Sequence, residues 1–305
     1  MRVVHVTPYY APAWAFGQVP RLVSALARAQ AAAGEQVSVL TTDALAPHER
    51  LPAGETHEDG VRVHRVRNIA SSAQLWAGLS TPVGLRALAR RVIGADVDVV
   101  HLHEGRSVEH RLVLPLVPEG AAVVLSPHGG LDAVRSRGLV QRLWDRWAAG
   151  RVLARVDHVI ADSGTDARAA QALWSTVGRT LRTDRLSLIE PGYELPGATT
   201  AAEGRAARER WALGNGPVVL CLGQLTPRSE LPVLVRAFAD VATTLPGACL
   251  LLAGADHGGA ATARDLARSL GIGDAVRFTG HLSPADRRTP IAAADVLALP
   301  GATPT

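Results

Sequence analysis

Three short stretches hold the residues whose types and spacing can do chemistry. In CLGQLTPRSELPVLVRAF, residues 221–238, an apolar strand passes through a sharp turn into an amphipathic helix. A strand feeding a helix in this way presents backbone N–H groups and the positive end of a helix dipole, which suits a phosphate. The turn offers Gln224, Arg228 and Ser229: one cation and two neutral hydrogen-bond donors. In TPYYAPAWAFGQVP, Gly17 and Gln18 stand just ahead of a helix starting near Pro20, so their N–H groups can meet a phosphate as well. The plainer reading is an ordinary loop with proline as an early helical residue. In SPHGGLD, His128 follows a strand end, and two glycines permit close backbone approach. Its imidazole can serve a sugar hydroxyl or a phosphate oxygen near neutral pH, or simply cap a turn.

Other constellations carry less. His101 and His103 alternate along DVVHLH, beside Glu104, and so share one face of a strand. Such a pair can bind zinc, but no third ligand has suitable spacing, so packing is the expected role. Asp96-Val97-Asp98 matches an aspartate–x–aspartate metal pattern, yet it enters a strand, the wrong end for ligands. All 32 basic residues are arginine. With no lysine, a Walker-type phosphate loop and Schiff-base chemistry are excluded. No G-x-G-x-x-G occurs, which disfavours a dehydrogenase.

What must position these residues is an alternation of strands and helices. RVVHV precedes a helix whose apolar face is Val19, Leu22, Val23, Leu26 and Ala27, the spacing of a helix lying on a sheet. QVSVLT, VRVHRV, a helix around 85–92 and DVDVVHLH come next, then AAVVLSPHGG and VDHVIADSG. In the last, Ser163 and Asp166 form a capping box that starts a helix. After Leu188, IEPGYELPGATTAAEG is rich in Pro, Gly, Thr and Glu and reads as a linker. A second series follows: PVVLCLG, a helix over 229–245, ACLLLAG, a helix through Leu266, AVRFTG, a helix through Ala292, and DVLALP. Continuous apolar strands between helices imply parallel sheets covered on both sides. The fold predicted is α/β, two Rossmann-like domains with parallel sheets facing a cleft. The first spans 1–188, a linker 189–203, and a shorter second domain 204–305, whose four strands leave sheet edges unpaired.

At 305 residues with 47% hydrophobic and 20% charged content, the chain can bury two cores and is not disordered. A net charge of +4 weakly favours anionic partners. Aromatic residues are only 4%, without the basic interleaving of a nucleic-acid binder. Around Trp144 and Trp147, Leu143, Trp147 and Leu153 can cover a sheet while Arg142, Arg146 and Arg155 point outward, either solvated or against an anionic membrane. Cys221 and Cys249 sit in apolar runs and are expected to be reduced core residues. The N-terminus lacks a signal-peptide apolar stretch and no run reaches membrane-spanning length, so a cytoplasmic location is expected, with peripheral membrane contact at most.

Taken in order, HVTPYYAPAWAFGQVPRLVSALARA, VVHLHEGRS, SPHGGLD, CLGQLTPRSELPVLVRAF, LLLAG and VRFTGHLSPADRRTPIAAADVLALP resemble the family-4 retaining glycosyltransferases over essentially the whole chain. The resemblance implies the GT-B fold, a nucleotide-diphosphate sugar as donor, no cofactor or obligatory metal, retained anomeric configuration, and a role in bacterial surface-polysaccharide or glycolipid assembly on a glycan or lipid-linked acceptor. It places the diphosphate at Gly17, Gln18, Gln224, Arg228 and Ser229, the base near His281 and Leu282, and His128 at the reacting centre. The family usually carries a G-R in the second-domain turn and a lysine some five residues later, where this chain has Gln224 and Ser229, with Arg228 as a stand-in cation. Losing one such leaving-group stabiliser costs ~3 kcal/mol. The family's glutamate–x7–glutamate element would begin where the chain stops at Thr305, so a C-terminally truncated domain is expected; its P-N-G turn is Glu190-Pro191-Gly192 here. The alternatives are a non-catalytic GT-B remnant that binds a nucleotide or a partner protein and, third, a nucleotide-sugar epimerase.

Overall fold

A computed structural model describes residues 1–46, 48–69, 80–131, 149–192, 197–227, 229–283, 286 and 288–300. Arg228 and most of the arginine-rich segment, with Arg142, Leu143, Trp144, Arg146 and Trp147, lie outside the described residues. The chain divides into two compact units, Met1–Tyr193 and Glu194–Thr305.

The first unit runs β1 (Arg2–Val6), α1 (Val19–Ala32), β2 (Gln36–Thr42), β3 (Ala44–Ala46), β4 (Glu49–Arg50), β5 (Gly54–Glu58), β6 (Val61–Asn68), β7 (Pro82–Val83), α2 (Leu85–Val92), β8 (Val99–His103), α3 (Val108–Val113), β9 (Ala122–Ser126), α4 (Gly150–Arg155), β10 (His158–Ala161), α5 (Gly164–Thr176) and β11 (Leu186–Leu188). Its main sheet has the order β11-β10-β9-β8-β1-β2-β6-β5, with β7 added to β6. Seven strands are parallel; β5 and β7 join β6 antiparallel. The chain builds outward from β1 through β2 to β6, then returns to lay β8 against the other side of β1. The topological switch point therefore falls between β1 and β8, where open α/β sheets take ligands.

Alternate residues decide what each face of this sheet does. Val4, Val6, Val100, Leu102, Val123 and Leu125 point into one large apolar core beneath α2 to α5. On the opposite face, α1 packs Val23 and Ala27 against Val37, Val39, Val61 and Val63. To that face β1 contributes Val3 and His5, and β8 contributes Val99, His101 and His103. The Ser163 hydroxyl accepts from Asp166 N at 3.2 Å and starts α5. The predicted capping box is half formed, because the Asp166 carboxylate turns instead to Gly129 N at 3.1 Å. Arg155, expected to point outward, is instead half-buried and donates to the carbonyls of Pro118 and Ala121 at 2.8 and 3.0 Å. Its guanidinium satisfies loop carbonyls that would otherwise be left without donors.

The second unit contains α6 (Ala201–Arg210), β12 (Val218–Leu222), α7 (Leu231–Thr244), β13 (Cys249–Ala253), α8 (Ala260–Ser269), β14 (Val276–Gly280), α9 (Arg288–Ala293) and β15 (Val296–Leu297). Its four strands are parallel in the order β14-β13-β12-β15. Every residue of β13 is buried, as expected of a central strand covered on both faces. Phe238, Val235 and Leu231 of α7 cover one face, and Ala207, Leu213 and Ala293 the other. At the β15 side of the sheet, Val296 and Leu297 are 56% and 55% exposed. Thr200 and Glu203 cap α6 reciprocally. Cys221 and Cys249 are free and buried, and desolvation raises both thiols above their usual range. Among the described residues, no helix is long and apolar enough to cross a membrane.

Candidate functional site

At the switch point, strand register brings together side chains that are far apart in sequence. His5 on β1 is the direct partner of His101 on β8, and Ser126 on β9 is the partner of His103. Because side chains alternate along a strand, the three histidines lie on one face. All are buried. His101 Nε2 meets Ser126 Oγ at 2.8 Å, and His110 Nε2 donates to the His103 carbonyl at 3.1 Å. His5 Nδ1 lies 2.9 Å from His103 Nε2, and His5 Nε2 lies 2.7 Å from Gln30 Oε1 on α1. Among the described residues, His5, His101 and His103 form the one group of three ligands able to converge on a metal ion, with ligand atoms within 4.8 Å of one another. The first and last are already hydrogen-bonded, so the cluster is self-satisfied as it stands.

His128 sits just beyond β9 with a left-handed φ of 50°. Its Nδ1 meets Asp162 Oδ2 at 2.6 Å and its Nε2 meets His103 Nδ1 at 3.1 Å. Both ring nitrogens are thus engaged inside the protein. Asp166 supports this corner by accepting from Gly129 N. Of the two glycines, Gly130 is required by a close approach within the chain itself: a Cβ there would fall 2.7 Å from Gly105 N and 2.9 Å from Pro127 O. The loops after β8, β9 and β10 are in this way tied into one rim.

Burial sets the protonation of the interior. Desolvation lowers His5 and His110 to about 4 and holds His101 and His103 well below the usual imidazole range. The opposite occurs at Glu104, which has a φ of 70° and is pushed up to about 8 by burial and by nearby Glu109. Glu109 is fully buried and raised for the same reason, although the hydroxyls of Ser80 and Ser107 each donate to it at 2.5 Å. This interior accordingly combines His5, His101, His103 and His110, biased towards neutral imidazole, with Glu104 and Glu109, biased towards their protonated forms.

Ahead of α1, Gly17 makes a turn at φ 101° and donates its N–H to the Trp14 carbonyl at 3.3 Å. Gln18 is the N-cap residue, and the Arg21 guanidinium lies 4.5 Å from the centroid of the Trp14 ring.

In the second unit the turn after β12 is held by one hydroxyl. Ser229 Oγ donates to the Gln224 carbonyl at 2.8 Å and accepts from Thr226 N at 3.0 Å. Glu230 follows with φ 47°, so α7 begins at Leu231, two residues later than the sequence pattern predicts. Gln224 is exposed. The turn is zipped to the loop after β13 by Leu225 N to Ala255 O and His257 N to Leu225 O, both 2.9 Å. Asp256 satisfies the start of α8, accepting from Gly258 N and Ala260 N at 2.9 and 3.1 Å. His281 is exposed just after β14, whereas Leu282 is 6% exposed and packs into the core. Parallel topology places Gln224, Ser229 and His281 at the same, carboxyl-end edge of this sheet. A cavity of about 410 Å³ opens at the opposite edge, lined by Leu213, Cys249 and Arg277. Replacing Ser229 by alanine removes these bonds and the Thr226 Oγ1 contact at 2.9 Å, and should cost about 1–2 kcal/mol, checked by urea unfolding.

Sequence reasoning missed His5, Gln30, Ser126 and Asp162 as members of the first-unit rim. The one signal available for His5 was an imidazole standing in an otherwise aliphatic strand.

Comparison with known proteins adds an independent finding. The "Glycosyl transferase 4-like domain" description fits residues 17–183, and "Glycosyl transferases group 1" fits residues 205–303. The D-inositol 3-phosphate glycosyltransferase of Acidothermus cellulolyticus is 28% identical over 310 residues, covering 93% of this chain and 65% of that protein. The GDP-mannose-dependent alpha-(1-6)-phosphatidylinositol monomannoside mannosyltransferase of Mycobacterium tuberculosis is 26% identical over 299 residues, covering 97% of this chain and 64% of its own length. The chain thus spans a little under two thirds of these relatives. Among solved structures, Anabaena Alr3699/HepE in complex with UDP superposes with a TM-score of 0.69 at 17% identity, over 100% of this chain and 75% of that one. WaaG, a glycosyltransferase involved in lipopolysaccharide biosynthesis, gives a TM-score of 0.60 at 16% identity over 98% and 75%. These last two are likenesses of fold.

Proposed function

Because the chain belongs to the family-4 GT-B glycosyltransferases, we propose that it transfers a sugar from a nucleotide-diphosphate donor to a hydroxyl of a glycan or lipid-linked acceptor, with retention and without a metal. The second unit takes the donor and the first the acceptor. The observation that carries this reading is the β12 turn: an exposed Gln224 on a Ser229-locked loop, at the carboxyl-end edge of a parallel sheet. Relatives that use GDP-mannose or act on phosphorylated inositols support a nucleotide sugar and a polar lipid headgroup as the substrate classes. On this reading the chain works in surface-polysaccharide or glycolipid assembly, at the inner face of the cell membrane.

Departure of a diphosphate requires its developing negative charge to be met, and Gln224 can offer only a neutral hydrogen bond. The substitution Gln224→Arg adds a charge-assisted bond and should tighten UDP or GDP binding about tenfold, measured by calorimetry. Unchanged affinity would place the diphosphate elsewhere. The wider test is turnover with GDP-mannose and UDP-glucose against inositol phosphates and lipid-linked glycans. Nucleotide binding without transfer to any acceptor would favour the second reading, a non-catalytic nucleotide-binding member of the family, which the neutral turn motivates.

A further inference from the structure

Five side chains lie in one hydrogen-bonded row across the α1-covered face of the first sheet. Asp162 Oδ2 meets His128 Nδ1 at 2.6 Å, His128 Nε2 meets His103 Nδ1 at 3.1 Å, His103 Nε2 meets His5 Nδ1 at 2.9 Å, and His5 Nε2 meets Gln30 Oε1 at 2.7 Å. Every nitrogen of the three rings is used. Each of the four links needs one proton, but a neutral imidazole carries only one N–H. Three neutral rings are therefore one proton short, unless the Gln30 amide supplies it.

This count allows two states. In the neutral state the Asp162 carboxylate can only accept, so it fixes each ring in turn. His128 Nδ1–H donates to Asp162, His103 Nδ1–H to His128 Nε2, and His5 Nδ1–H to His103 Nε2. His5 Nε2 is left as a lone pair, which the Gln30 amide meets with its NH2 after a half-turn. With one more proton the inner links reverse. His128 then donates from both nitrogens, His103 Nε2–H donates to His5 Nδ1, and His5 Nε2–H donates to the Gln30 oxygen. The extra charge rests on His128 beside the Asp162 carboxylate, because the interior rings are fully buried and far from any compensating anion in the row.

We propose that His128, His103, His5 and Gln30 form a proton relay, in which a proton entering at His5 Nε2 is passed along the row to His128, reversing both buried rings and turning the Gln30 amide. His103, His5 and Gln30 are then positioning residues: they hold the His128 ring in one orientation whether it is neutral or charged. This assignment rests on the transferase reading only for its use, which is to set the charge of His128 without moving its ring. Other titratable groups among the described residues face the row from each neighbouring element. Asp166 of α5 bonds Gly129, beside His128. His101 of β8 stacks on His103 at 4.2 Å between ring centroids. His110 of α3 donates to the His103 carbonyl, and Glu104 adjoins His103 in sequence. None of these takes a ring nitrogen of the row.

Ring ¹⁵N NMR of the full chain across a pH titration tests the relay. As His128 takes up a proton, His103 and His5 should pass from the Nδ1–H to the Nε2–H tautomer in step with it. In Gln30→Glu, at a half-exposed position, the new carboxylate accepts only, so His5 should stay Nε2–H to a pH at least about one unit higher, a tenfold gain in proton affinity of the row. Protonation of His128 with His5 and His103 tautomers unchanged overturns the relay, as does a Gln30→Glu protein whose tautomers match the parent. The ring nitrogens report this whether or not sugar transfer is detected, so failure of the relay and failure of the transferase reading are separate results.

Discussion

Between pH 6.5 and about 4 the first unit should lose on the order of 3 kcal/mol of stability, while the second should lose little. The reason lies in four buried imidazoles, His5, His101, His103 and His110, all lowered from 6.5 by desolvation. A base whose folded pKa is depressed contributes stability that is complete above its unfolded value and is lost as pH falls below it. In this window the unfolded chain binds up to four protons that the folded one refuses at these rings, and His64, also lowered by desolvation, adds to them in the same sense. Glu104, Glu109 and Asp166 act in the opposite sense, because burial raises them and the folded state holds their protons more tightly. Four protons against at most three leaves a net slope of about 1.4 kcal/mol per pH unit or more. Above 6.5 the histidines are silent, and Glu104, pushed up to about 8, takes over. Stability should then decline as pH rises towards 8, placing the maximum near neutrality. The described histidines of the second unit, His257 and His281, are exposed. Hydrogen exchange measured by mass spectrometry at pH 4.5 and 6.5, corrected for intrinsic rates, should show protection lost in β1 and β8 and retained in β13. Equal loss in both units would refute this account.

The second large effect concerns Gly254. Its φ is 142°, and a Cβ placed there would lie 1.8 Å from the Gly223 carbonyl oxygen and 2.8 Å from its carbon. Both obstacles are backbone, so no side chain can swing aside. Gly254→Ala should destabilise the second unit by about 3 kcal/mol or more, through strained φ and forced separation of the ends of β12 and β13. Those ends carry the Gln224 turn, and nucleotide binding should fall with the fold. Gly214→Ala is the control: it has positive φ but nothing within 4 Å of the new Cβ, and should cost only about 1 kcal/mol. If urea unfolding gives the two variants the same loss, backbone crowding at Gly254 is not the cause.

The elements legible from sequence were those with a strong local pattern. The helix Leu85–Val92 and the strands Arg2–Val6, Cys249–Ala253 and Val276–Gly280 fall where periodicity and continuous apolar runs put them. β5, with the exposed sequence GETHE, carries no apolar alternation, and only its antiparallel pairing with β6 makes it a strand. The start of α7 was misplaced because Glu230 takes a left-handed conformation and Ser229 spends its hydroxyl on the turn, a choice no periodicity records. The two glycines of SPHGGLD permit close backbone approach, and at Gly130 the backbone approached is that of Gly105, a partner no local pattern names.

Local pattern alone sets the class of the protein: strands alternating with helices, two cores, arginine as the only strong base, and the ordered motifs of one family. Those are properties of neighbouring residues, and hydrophobic burial reads them in any chain with the same pattern. Only tertiary structure decided what the histidines do. His5 meets His103 across a sequence separation of 98 because β1 and β8 pair in one register, and a slip of a single position would send His5 to the opposite face. Register is fixed by the whole sheet, so the row of imidazoles and the protons it can hold belong to the fold and to no stretch of sequence.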